Sequence, residues 1–270
     1  MIKLGNGRKK VIIKNIRFIL VIIVLVFILS WLIFYIYSKT NSNFPTNATM
    51  NLRESAVSSK KTNIDSSTLD VYKEDGHKIA YLTFDDGPSA NTTPAILKIL
   101  DNYNIKATFF IVGSMAIRYP GLVKKEASDK QTIGNHTYSH NYKYIYSSTN
   151  AFIGDVIKCN TVLKSILGRN FNSKLVRFPG GSFGENLEPF REALKNDGYH
   201  YVDWNDLTGD AEGQNIPVDK LLDNLKKYTK GKEHVVILMH DISTKTTTVK
   251  ALPQVIKYLK SQKYSFATLD

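Results

Sequence analysis

Three patterns of hydrophobic and polar positions succeed one another along the chain. Positions 18–37, FILVIIVLVFILSWLIFYIY, are apolar without a single charge. As a helix rising about 1.5 Å per residue, such a run matches a hydrocarbon core about 30 Å thick, and it lacks the polar face of a soluble helix. It predicts a transmembrane helix over 18–37. Positions 38–76 are rich in Ser, Thr, Asn and Lys with little apolar periodicity, which predicts a flexible extracellular stalk. From 77 onward, short apolar runs alternate with longer amphipathic ones, the pattern of strand–helix units around a parallel sheet or barrel. Strands are predicted at 78–84, 107–113, 131–137, 175–180, 199–204, 234–240 and 264–269. Helices are predicted at 92–104, 116–129, 150–168, 187–198, 218–230 and 248–262. About seven such units over 77–270 predict a small, incomplete α/β barrel.

Charge sharpens the membrane reading. The formal net charge is +12, but Lys3, Arg8, Lys9, Lys10, Lys14 and Arg17 supply half of it before the apolar run, with no acid among residues 1–17. Basic residues on one flank place that flank in the cytoplasm and the domain outside. Trp31, Tyr35 and Tyr37 suit the outer interface. A cleaved signal peptide shares the positive flank, but the apolar run exceeds the ~7–15 residues of a signal core and SKTNSN offers no small-x-small cleavage site. Nucleic-acid binding fits poorly, because so much of the basic excess lies in the flank. With 43% hydrophobic and 22% charged residues the chain is not disordered throughout. Its single cysteine, Cys159, has no partner for a disulfide or a cysteine-rich zinc knot and reads as a small apolar helix residue.

Candidate chemistry collects at the predicted strand ends, where barrel enzymes carry their reactive groups. Asp85 and Asp86 follow YLTF, His136 and His140 follow QTIGN, Arg177 stands in LVRFPGG, Asp210 follows DWN, and His240 closes VVILM. Asp-Gly and Gly-Pro in DDGP also read as a turn. Adjacent carboxylates at a strand mouth repel, however, and a cation on one of them relieves the repulsion. His136 and His140, four apart, share a face if they lie on a helical turn, and can then grip one ion together with an aspartate. Three protein ligands and an open position make a hydrolytic zinc site, with a second carboxylate as base and a separate acid for the leaving amine. His240 suits the acid role and equally suits a hydrogen-bonded strand-end histidine.

TFDDGP (83–88), HTYSH (136–140), RFPGG (177–181) and LMH (238–240) together resemble, in order and spacing, the motifs of the polysaccharide deacetylase family, carbohydrate esterase family 4. The resemblance covers about 77–270. It implies a distorted (β/α) barrel with Asp85 as general base, and with Asp86, His136 and His140 as ligands of a divalent metal: Zn2+, or alternatively Co2+, Ni2+ or Mn2+. It further implies that Arg177 orients Asp85, that His240 is the general acid with Asp210 as its partner, and that Leu238 lines the acetyl pocket. Pro179 and Gly180 of the third motif would bind substrate. Two positions depart from the pattern. Ala211 stands where a Trp usually follows the fourth-motif aspartate, and Gly180 where a Tyr is frequent, so glycine keeps the oxyanion-binding N–H but loses a wall. Trp204 is either a replacement aromatic surface or a core residue.

Together these readings predict an anchored hydrolase that removes N-acetyl groups from N-acetylglucosamine of the wall peptidoglycan nearest the membrane, on a bacterial, Gram-positive surface. N-acetylmuramic acid, poly-N-acetylglucosamine and O-acetylated polysaccharides are alternative substrates, and an inactive wall-binding module is the non-enzymatic alternative. The cell-wall glycan and the membrane are the expected partners, with the oligomeric state undetermined by sequence.

Overall fold

The computed structural model describes residues 71–269. The basic flank 1–17, the predicted span 18–37 and the stalk up to residue 70 lie outside the described residues. Among the described residues no helix is long and apolar enough to cross a membrane.

Strand β1 (Ile79–Asp85) alternates strictly. Ala80, Leu82 and Phe84 face a helix-covered core, while Ile79 and Tyr81 join a second cluster on the other face, as the two-residue period of a strand requires. β2 (Thr108–Ile111) and β3 (Thr132–Asn135) lie parallel to it on one side, followed by the two-residue strands β4 (Leu175–Val176) and β5 (His200–Tyr201). On the other side lie β7 (His234–His240) and β6 (Asp206–Leu207), giving the order β5-β4-β3-β2-β1-β7-β6. β7 runs along all of β1. The last strand, β8 (Ser265–Ala267), pairs with Ile79–Tyr81, whereas β2 pairs with Thr83–Asp85. β8 and β2 therefore share one edge of β1.

The sheet curls almost onto itself. Val202 N–H donates to Val176 O and Asn205 N–H to Val236 O, so residues only three apart serve opposite ends of the sheet. At 3.8 Å per Cα step they are no more than about 11 Å apart. Inside this curl lie Tyr81, Phe110, Leu175, Val202, Val236 and Leu269.

The connections cover the outer face. They are α1 (Thr92–Asn102), α2 (Gly113–Arg118), α3 (Pro120–Ser128), α4 (Tyr142–Ile145), α5 (Thr149–Leu167), α6 (Glu188–Asn196), α7 (Val218–Thr229) and α8 (Thr246–Ser261). The single helix predicted over 116–129 is two, because Pro120 removes a backbone N–H and opens a fresh first turn. α5 begins where Ser148 Oγ accepts from Ala151 N–H and stops at Gly168, whose φ is +103°. Its buried stripe is Phe152, Asp155, Val156, Cys159, Asn160 and Leu163. Cys159 is the buried apolar helix residue that the sequence predicts. β6 and α4 have no counterpart among the predicted elements.

Residues 71–76, within the stretch read as stalk, pack on the domain. Val71 O meets His234 Nδ1 at 3.0 Å, and Gly76 N–H donates to Glu233 Oε2. Val71 and Tyr72 lie against the apolar cluster inside the curl. Burial of that pair accounts for order reaching back beyond the predicted start at 77.

Candidate active site

The ionisable residues predicted for the site lie at or beyond the carboxyl ends of the strands. Asp85 ends β1 and Asp86 follows it; His136 follows β3, Arg177 follows β4, and His240 ends β7. Asp210 opens a 3-10 turn over Asp210–Glu212 just after β6.

Arg177 is the group around which this end is organised. It is fully buried, and burial of a guanidinium is tolerable only with its donors satisfied and its charge paired. Its Nε donates to Val202 O (3.1 Å) and Nη2 to Asp203 O (3.0 Å), both on the link between the sheet's two ends. Nη1 donates to Thr83 Oγ1 (2.6 Å) and Asp85 Oδ1 (3.0 Å). Its guanidinium lies 4.1 Å from the Phe110 ring centroid. A Cβ on Gly134 would approach that ring to 2.5 Å, so a side chain there would lift Phe110 into the arginine. Asp85 Oδ1 is thus held, while Oδ2 lies 3.8 Å from His136 Nε2.

Asp86, His136 and His140 converge, each offering one ligand atom within 4.8 Å of the others. The bracket that gathers them differs from the helical turn inferred from the HxxxH spacing. Residues 136–141 form a bend, wound around two side chains. Asp155 Oδ2, from α5, accepts Tyr138 N–H (2.7 Å), Ser139 N–H (2.7 Å) and Ser139 Oγ–H (3.2 Å). Asn135 Oδ1 accepts Thr137 N–H (2.8 Å), and Thr137 Oγ1 accepts His140 N–H (3.2 Å). Asp86, Thr137 and His140 all take positive φ (74°, 64° and 51°), a conformation that non-glycine residues hold only under constraint from their surroundings. Asp155→Ala removes three of those constraints, and we expect zinc affinity in a competition titration to fall about 10–100-fold while the protein remains folded. An unchanged affinity would show that the bend holds itself.

The hydrogen-bond partners also suit metal binding. His136 Nδ1 lies 2.8 Å from Arg177 O; a carbonyl only accepts, so Nδ1 carries a proton and Nε2 is the ring atom that faces Asp86. Asp86 Oδ1 lies 3.4 Å from His136 Nε2 and 3.1 Å from His140 Nε2, yet this buried oxygen forms no aligned hydrogen bond. Three ligand atoms gathered within 4.8 Å of one another and an orphaned buried carboxylate oxygen fit a shared cation. Burial works to raise the Asp86 pKa, but contacts with His136 and His140 prevail and hold it well below the usual carboxylate range.

On the opposite wall, His240 Nδ1 meets Asp210 Oδ1 at 2.8 Å. Asp210 Oδ2 accepts His240 N–H and Thr248 Oγ–H, each at 2.8 Å. Burial lowers the His240 pKa, but the charge and hydrogen bond of Asp210, joined by Asp86 and Asp85, raise it to about 9. Nε2 is left as the ring's outward donor. Leu238 lies two residues before His240 on the same strand face and is buried.

Around the third motif, Pro179 O accepts the Tyr146 hydroxyl at 2.8 Å. Gly180 has φ +80°, and among the described residues no acceptor takes its N–H. Trp204 stands edge-on to Phe183 (5.3 Å) and under Gly181, with Arg177 5.9 Å from its ring centroid. It is partly buried against the cluster inside the curl, so its observed contacts are those of a supporting residue. Sequence reading missed Thr83, Asp155, Tyr142, Tyr146 and Thr248. Asp155 carried a signal, being an acid within the apolar stripe of α5.

The family model described as "Polysaccharide deacetylase" matches residues 72–202. A peptidoglycan-N-acetylglucosamine deacetylase of Bacillus cereus is 34% identical over 194 residues, covering 70% of this chain and 68% of that protein. The peptidoglycan-N-acetylglucosamine deacetylase PgdA of Listeria monocytogenes is 31% identical over 229 residues, 84% of this chain but 46% of the longer relative. Among solved structures, a Streptococcus mutans CE4 esterase superposes with a TM-score of 0.68 at 35% identity, covering 72% of this chain and 87% of that one.

Proposed function

Because this chain belongs to the polysaccharide deacetylase family, whose deacetylases act on amide bonds other than peptide bonds, we propose that it removes N-acetyl groups from N-acetylglucosamine of cell-wall peptidoglycan at a divalent metal centre. The observation that carries this reading is the convergence of Asp86 Oδ1 with the Nε2 atoms of His136 and His140, with Asp85 and His240 flanking them. Asp86, His136 and His140 would hold the ion, with zinc the metal best suited to one carboxylate and two imidazoles and an open position. When bound, such an ion supplies Lewis acidity, lowering the pKa of a water and polarising the acetyl carbonyl.

The remaining steps fall to the chain's own groups. Arg177 occupies Asp85 Oδ1 and turns Oδ2 to the water, where it takes the proton as oxygen attacks the acetyl carbon. Gly180 N–H donates to the developing oxyanion. His240 Nε2–H protonates the amine as the C–N bond breaks, with Asp210 holding Nδ1. Leu238 walls the acetyl methyl. Acetate and a glucosamine unit leave.

The pH profile tests the acid. A raised His240 pKa keeps the imidazolium present up to about pH 9; a cation at Asp86 offsets part of the carboxylate contribution, so the basic limb of kcat lies at or below that value. Asp210→Asn withdraws the leading raising influence, so the limb should move down toward the ordinary histidine value of 6.5. An unmoved limb would assign it to another group.

The peptidoglycan assignment rests on the names of the relatives and on the charge-free run at 18–37 behind a basic flank, which supports an anchored domain facing the wall. Purified protein with added zinc should release acetate from peptidoglycan, and chelation should stop it; sugar analysis of the digested product should find the lost acetyl on glucosamine. Loss from muramic acid, or no release, would overturn the reading. Protease added to whole cells should liberate the domain, and a protected domain would overturn the topology.

A further inference from the structure

Tyr142 stands where a side chain of residue 180 would stand. A Cβ on Gly180 would come within 3.0 Å of Tyr142 Cε1 and 3.2 Å of its hydroxyl oxygen. Two constraints therefore hold residue 180 as glycine, its left-handed φ of +80° and the ring beside it. The placement is built rather than incidental. Asn141 caps α4 by accepting Tyr144 N–H, and one turn after Tyr142 the Tyr146 hydroxyl grips Pro179 O. The short helix is thus tied to the 179–180 turn by a hydrogen bond and a ring contact together. On its other side the Tyr142 ring meets the His140 imidazole edge-on, with centroids 5.3 Å apart and planes at 82°.

Yet Tyr142 remains 50% exposed, next to the Asp86, His136 and His140 cluster. A fixed, half-open aromatic side chain beside the turn that presents the Gly180 N–H is suited to the C–H face of a pyranose, whose ring hydroxyls remain in water.

We infer that Tyr142 is a specificity-determining residue: its ring is the wall against which the N-acetylhexosamine unit being deacetylated packs, and residue 180 contributes backbone alone. The inference rests on the deacetylase reading of the same site. It assigns the aromatic surface to α4, leaving Trp204 beneath Gly181 as support.

The test compares wild type, Tyr142→Leu and Tyr142→Phe with the N-acetylglucosamine pentamer, by acetate release and by calorimetric binding. An aromatic contact of this kind is worth roughly a 3- to 10-fold change in affinity. Tyr142→Leu should therefore raise KM and Kd by about that factor and change kcat less than about threefold, whereas Tyr142→Phe should stay near wild type. Thermal melts confirm that each variant folds. A KM and Kd unmoved by Leu, or a Phe variant as impaired as Leu, would overturn the wall. Wild type that binds the pentamer without releasing acetate would instead sink the deacetylase reading while Kd still judges Tyr142, and wild type that does not bind it overturns the wall.

Discussion

Asp85→Asn should lower the kcat for acetate release by about 10²–10⁴-fold, the range set by removing a positioned general base, while zinc affinity stays within a few-fold of wild type. Asparagine has the same shape and still offers Oδ1 to Arg177 Nη1, now 3.0 Å away, but no longer takes a proton. The arginine keeps three uncharged acceptors in Thr83 Oγ1, Val202 O and Asp203 O, so the barrel still forms. The separation between Asp85 and Asp86 is what this variant measures: adjacent in sequence, they point at different partners, Arg177 and the two histidines. A kcat within tenfold of wild type would move the base elsewhere. A zinc affinity that collapsed with kcat would make Asp85 a ligand.

Arg177→Met should cost about 3–5 kcal/mol of unfolding free energy, the effect of breaking a buried ion pair by removing one partner. Methionine fills much of the volume, so the loss is electrostatic: Asp85, itself 2% exposed, is left without its cation, and Val202 O and Asp203 O lose their donors. Urea unfolding of wild type, both single variants and the Asp85→Asn/Arg177→Met double variant closes a cycle. The double variant should recover about 0.5–3 kcal/mol relative to the sum of the singles, because each single strands a partner. Strict additivity would show that the pair is a neighbourhood rather than an interaction.

The framework of the barrel was legible where short apolar runs close on charged residues. β1 and β7 are such runs, buried on both faces and ending on the charged residues of the site, and α5 and α7 carry largely apolar buried stripes. Two-residue strands such as β6 have no period to read; Asp206 and Leu207 pair with β7 because the chain is delivered there by the link behind Arg177. The site's first ring of residues was legible because each follows a strand. Of its supports, Asp155 left a trace, as an acid within the apolar stripe of α5, whereas Thr83 and Tyr142 reach the site from elements whose local pattern concerns packing only. The four-residue spacing of His136 and His140 misled for a related reason: the same spacing fits a helical turn and a bend tied to Asp155, and only the tertiary partner distinguishes them.

β1 is the first strand of the domain to be made, yet β7 and β8, two of its three neighbours, are the last. A chain that leaves the ribosome or crosses a membrane amino end first must therefore carry Ile79–Asp85 with one edge bare until residues 234–267 arrive, and Asp85 and Asp86 stay without His240 for as long. On the proposed mechanism, the order of synthesis keeps the chain chemically silent until the whole domain has emerged. A chain cut short before β7 exposes its central strand, so quality control meets an adhesive fragment rather than a weakened catalyst.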